Sequence, residues 1–123
     1  MKDGKQCPHM LLALGALRLA KNFDQAENFV AANDAQIADA WRPAWSNEKA
    51  ALAWHRGQTD AARTLWNGME PSVPVMFNRG MAEVFLGNGV KGRATLNEVI
   101  TRLPETSGWH HLARLYVLLA SSR

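Results

Sequence analysis

The stretch that decides the fold is Trp109-His110-His111-Leu112-Ala113-Arg114-Leu115-Tyr116. Wound as a helix, it puts Trp109, Leu112, Ala113 and Tyr116 on one stripe, with the small Ala113 where a second helix must come close. A complementary piece lies upstream in Gly57-Gln58-Thr59-Asp60-Ala61-Ala62-Arg63-Thr64-Leu65-Trp66. There a glycine turn precedes a small residue, Ala62, and an aromatic follows four positions later. Small residues recur along the chain. Ala26, Ala62 and Ala94 stand 36 and 32 residues apart, and Gly15, Ala50, Gly80 and Ala113 stand 35, 30 and 33 apart. A single helix pair cannot cover its own apolar face, so units repeated in this way must stack.

Turn residues divide the helical periodicity. Leu11, Leu14 and Gly15 belong to a first helix that Asn22 interrupts, and Phe23 opens a second. Residues 33–39 read either as that helix continued or as a short extra turn. Pro43 suits the first turn of a third helix, which Gly57 closes, and residues 59–69 form a fourth. Residues 75–86 and 91–103 make a further pair, and Ser107 or Thr106 can cap the last helix.

The W-x-x-L-[AG]-x-x-Y pattern at 109–116 and the second-helix pattern at 57–66 resemble the tetratricopeptide repeat family, whose period is about 34 residues. The likeness covers most of the chain, fades before residue 10, and implies that the rings of Trp66 and Trp109 are buried between helices. It implies an all-α fold, a right-handed superhelix of antiparallel helix pairs, here about three pairs plus a C-terminal helix. The division expected is an N-terminal arm, 1–9, and one helical-repeat domain, 10–123. The family departs from this chain at Glu83, where a tyrosine is expected.

Composition fits such a fold: 123 residues, 47% hydrophobic and 20% charged, with a formal charge of +3. Residues 1–71 hold eight basic and eight acidic side chains, residues 72–123 six and three. So small a surplus is a weak nucleic-acid signal. A single cysteine, Cys7, excludes an intrachain disulfide. The apolar run Met10–Leu17 follows Lys2 and Lys5 in the manner of an export signal. Arg18, Asp3 and the lack of a small-residue cleavage site favour a buried first helix instead. No run approaches the roughly 20 residues of a membrane span, so no membrane partner is expected and the cytoplasm is the default location.

Three motifs bear on chemistry. Gly87-Asn88-Gly89-Val90-Lys91-Gly92 spells G-x-G-x-x-G, but the dinucleotide fingerprint needs a preceding strand, and 75–86 reads as a helix. The expected role is an extended turn between helices. Cys7, His9, His55, His110 and His111 are metal-ligand types, yet none has a metal-site spacing, and neither metal nor cofactor is expected. Ser46, Ser72 and Ser107 fall near helix starts as ordinary caps, so no catalytic residue is expected.

In the family the resemblance names, the first helix of each pair faces a concave groove that binds protein segments. Projected onto this chain, that face holds Asn47, Trp54, His55, Phe77, Met81, Phe85, His110 and Arg114, with His9 and Leu12 on the first helix. The resemblance thus implies a non-catalytic, scaffold-like or chaperone-like module that holds a peptide or helix of a partner protein. Leu12 and Ala16 stand where a carboxylate clamp for acidic chaperone tails would need polar groups. The alternative is a helical-repeat nucleic-acid binder using Arg79, Lys91, Arg93, Arg102 and Arg114. The apolar last helix, with Leu115, Val117, Leu118 and Leu119, is also a candidate surface for a second copy.

Overall fold

A computed structural model of the protein describes residues 5–121. The described chain is all-helical, with seven α-helices and no strand. It gathers into two compact units, residues 1–65 and 66–123.

In the first unit α1 (Cys7–Leu19), α2 (Phe23–Asn33) and α3 (Arg42–His55) pack around one core. Cys7, Leu14, Ala26, Ile37, Trp45 and Leu52 are buried there, and Phe29 tilts against Trp45 at 6.3 Å. Residues 1–4 of the expected arm lie outside the described residues, whereas Cys7 to His9 already form the first turn of α1, with Pro8 at its start. Proline suits that position because the first N–H groups of a helix have no intrahelical acceptor. The stretch 33–39 resolves as a short extra turn: two 3-10 turns, Asp34–Gln36 and Asp39–Trp41, link α2 to α3. Asp34 organises this link. Its Oδ1 accepts from Trp45 Nε1 at 2.9 Å, Lys49 Nζ at 3.1 Å and Arg42 Nη1 at 3.2 Å. Arg42 Nη2 also donates to the Asp34 and Ile37 carbonyls. The buried indole thus finds its acceptor without leaving the core.

α4 (Thr59–Asn67) follows in the chain; in the second unit α5 (Val73–Phe85) and α7 (Gly108–Ser121) both pack on α6 (Gly89–Arg102). Phe77, Val84, Leu96, Val99, Ala113 and Ala120 form its core. Ser72 Oγ accepts from Val75 N and caps α5; Ser107 Oγ accepts from Trp109 N at the head of α7.

Three helices end in the same way. Lys21, Gly57 and Gly87 take positive φ of 63°, 88° and 91°. At each, two backbone bonds fold back over the helix end: Lys21 N to Arg18 O and Asn22 N to Leu17 O; Gly57 N to Trp54 O and Gln58 N to Ala53 O; Gly87 N to Val84 O and Asn88 N to Glu83 O. These satisfy carbonyls that the helix itself leaves open. Ala26, Ala62 and Gly92 follow at the same distance from each turn, and all three are buried. The small residue of the third turn is therefore Gly92, not the exposed Ala94. By the same register Leu14, rather than Gly15, is the counterpart of Ala50 and Gly80, each seven residues before its turn. The expected extended turn at 87–92 is also shorter, because α6 starts at Gly89.

Gly80 and Gly92 mark a close crossing of α5 and α6. A Cβ at Gly92 would lie 2.6 Å from Val84 Cγ2 and 2.8 Å from the Gly80 carbonyl oxygen. At Gly15 the nearest atom would be Glu48 Oε2, at 3.8 Å. Denaturant unfolding is expected to show Gly92→Ala destabilising by about 1–3 kcal/mol, the usual cost of overpacking. Gly15→Ala should instead stabilise by up to about 1 kcal/mol through helix propensity.

The hydrogen bond from Trp45, then Lys49, holds the Asp34 carboxyl below its ordinary value of 3.8, against a smaller opposing effect of burial. Below that value the unfolded chain takes up the proton more readily, so this contribution to stability is present above about pH 4 and is lost on acidification. Asp34→Asn should lower the melting temperature at neutral pH and flatten its fall between about pH 5 and pH 2.

Candidate functional site

The eight residues proposed from sequence fall into two sets, three in the first unit and five in the second. Asn47, Trp54 and His55 lie on α3. Asn47 and Trp54 are half-buried and His55 is exposed. Near them α1 and α3 are joined by a polar cluster in which Arg18 Nε donates to Glu48 Oε2 at 3.1 Å and Arg18 Nη1 approaches His55 Nδ1 at 3.4 Å. A guanidinium has no acceptor, so Nδ1 accepts and the neutral ring carries its proton on Nε2. Partial burial, then the Arg18 charge, lowers the His55 pKa from 6.5, with Glu48 opposing. Protonation therefore costs more in the folded than in the unfolded chain. The resulting stability is present above about pH 6.5 and is lost as pH falls through and below that value. His55→Gln should show a shallower loss of melting temperature between about pH 7 and pH 5 than the wild type.

In the second unit Phe77, Met81 and Phe85 share one face of α5, four residues apart, and that face meets α7. Phe77 meets the Trp109 ring edge-on at 5.3 Å and lies 5.7 Å from Tyr116; Phe85 stands edge-on to Tyr116 at 5.7 Å. These separations and tilts suit ring quadrupoles. The row is sunk at Phe77, 6% exposed, and open at Phe85 and Trp109, 45% and 62% exposed. Trp109 thus departs from the buried role its motif suggests: its stripe turns toward α5, and no further helix among the described residues closes over the indole. His110 does not face solvent. It is buried, and its Nδ1 donates to the Leu103 carbonyl at the end of α6, at 3.1 Å. Arg114 is exposed on α7. Leu115 and Leu118, on the outer side of α7, are 60% and 66% exposed.

The remaining motifs are taken up by structure. Gly87 supplies the left-handed turn, Gly89 sits where a Cβ would be 3.3 Å from the Ala120 carbonyl oxygen, and Gly92 forms the close crossing. Each glycine of the G-x-G-x-x-G pattern thus has a packing or turn reason, and its preceding element is a helix. Glu83, at the position where a tyrosine was expected, is buried and accepts from Asn88 Nδ2 at 2.8 Å, bracing the same turn. Cys7 is buried in the first core, and among the described residues no three His, Cys, Asp or Glu side chains come together as a metal site. Of the basic residues in the second half, Arg102 is paired with Glu98 at 3.1 Å and Arg93 bonds Ser121 Oγ at 3.3 Å.

One feature of the first unit escaped the sequence reading. Val30, Ala31, Leu52, Ala53 and Leu65 line an open recess of about 320 Å³ with Glu27, Lys49 and Gln58 at its rim. Its two charges are already engaged, Glu27 with Arg56 and Lys49 with Asp34. The residues come from three elements, so local spacing gave no signal for it.

Comparison with known proteins yields no matching family model, curated protein or solved structure. Among the described residues no helix is long and apolar enough to cross a membrane.

Proposed function

We propose that the chain is a short helical-repeat protein of the tetratricopeptide kind that binds a segment of another protein without catalysing a reaction. The observation that carries this reading is the aromatic row along the α5–α7 seam, which stands open to solvent at Phe85 and Trp109. Tryptophan anchors rich binding sites because it buries a large rigid area at little entropic cost. The three equivalent turns, each followed by a buried small residue, support the repeat assignment. Because helices already packed on a core present the surface, the partner would bear most of the ordering cost. The face is largely apolar, which suits an amphipathic helix laid along it better than an extended acidic tail.

The test is affinity isolation with wild type beside Trp109→Ala, followed by titration of the purified partner. The expected result is a Kd raised about tenfold or more by Trp109→Ala, with an unchanged helical circular dichroism spectrum. Equal affinity would remove this face from the binding site. A bound nucleic acid with steeply salt-dependent affinity would overturn the protein-binding reading.

A further inference from the structure

We infer that the outer ridge of α7 is built for an acidic amphipathic helix of a partner protein, a reading that rests on the protein-binding function proposed above and gives it a second surface. Arg114, Leu118 and Ser121 follow one another at four and three residues on α7, so they form a single ridge, with Leu115 beside it. Leu115 and Leu118 are among the most exposed large apolar side chains of the second unit. Arg93 reaches across from α6 to donate to Ser121 Oγ, placing a second cation at the far end of the ridge. Neither Arg93 nor Arg114 makes an ion pair among the described residues.

Among the described residues no carboxylate is paired with either. Residues 86–97 and 106–123 contain no Asp or Glu. Of the nearest acids, Glu83 is buried against Asn88 and Glu98 is held by Arg102. The ridge is therefore apolar along its middle and positive at both ends. A segment with leucine-type residues spaced three and four apart, flanked by glutamates or aspartates, would cover the leucines and satisfy both cations. A second copy of α7 would bring Arg114 and no carboxylate to this edge, so it offers neither cation a partner. A bilayer surface would need a broader apolar face than these two leucines provide, since the opposite side of α7 is packed on α6.

The probe is a labelled helical peptide of about 18 residues with leucines at the three-and-four spacing and glutamates on the flanks, followed by fluorescence anisotropy at low salt. Its counterpart carries lysine for every glutamate. The expected result is about tenfold tighter binding of the acidic peptide, the effect of two rim ion pairs together with the repulsion removed. The double variant Arg93→Glu/Arg114→Glu should invert that preference, and Leu118→Ser should weaken both peptides. These side chains are at the surface, and circular dichroism checks that the variants fold.

Equal binding of the two peptides, or acidic binding indifferent to all three substitutions, would overturn the inference while leaving the protein-binding reading intact. Failure of both peptides alongside a Trp109-dependent natural partner would do the same. Leucine-dependent cosedimentation with phosphatidylserine vesicles in place of peptide binding would assign the ridge to lipid. A Leu118-dependent dimer by analytical ultracentrifugation would assign it to a second copy; either result overturns the inference.

Discussion

Each of the three turns at Lys21, Gly57 and Gly87 closes a helix on a single left-handed residue, and the helices that follow inherit their direction from it. Two backbone bonds over the helix end satisfy carbonyls that would otherwise be orphaned, and the chain then re-enters a helix after one further residue. Glycine meets the φ requirement at two of the turns without strain. Lys21 meets it against a steric cost that non-glycine residues ordinarily avoid. The bonds it secures, and the burial of Ala26 just beyond, give that conformation a structural return.

The cores then differ in how they settle their polar groups and their volume. In the first unit Trp45 is large and wholly buried, so its indole N–H must be answered inside, and Asp34 answers it while collecting Arg42 and Lys49. In the second unit close approach is the main device. Gly80 and Gly92 bring α5 and α6 together until backbone meets side chain, and the larger Phe77, Leu96 and Val99 fill the space around the crossing. Steric fit is unforgiving at such a crossing because protein interiors are packed as densely as organic crystals.

Much of the helix order was legible from local pattern. The turns at Asn22, Gly57 and Gly87, the Ser72 and Ser107 caps and the helical phase of α7 are all short-range features. The errors lie where the answer depended on a distant neighbour. Gly15 reads as a contact glycine by spacing, yet Leu14 is the inward residue and Gly15 faces the tip of Glu48. Trp109 reads as buried by its motif, and is open because its stripe runs along the edge of α5. His110 reads as a surface residue, and is buried because the Leu103 carbonyl at the end of α6 lies within its reach.

By itself the sequence determined the all-helical character, the approximate helix order and the turn chemistry, because propensity, periodicity and positive-φ glycines act over a few residues. Tertiary structure alone decided which face of each helix is dry. It paired Asp34 with Trp45 across eleven positions, seated Gly92 against Gly80 and Val84, and left Leu115, Leu118 and Trp109 open to solvent. The physical reason is that burial depends on which surfaces meet in space, and a shift of one residue turns a helical side chain through roughly 100°.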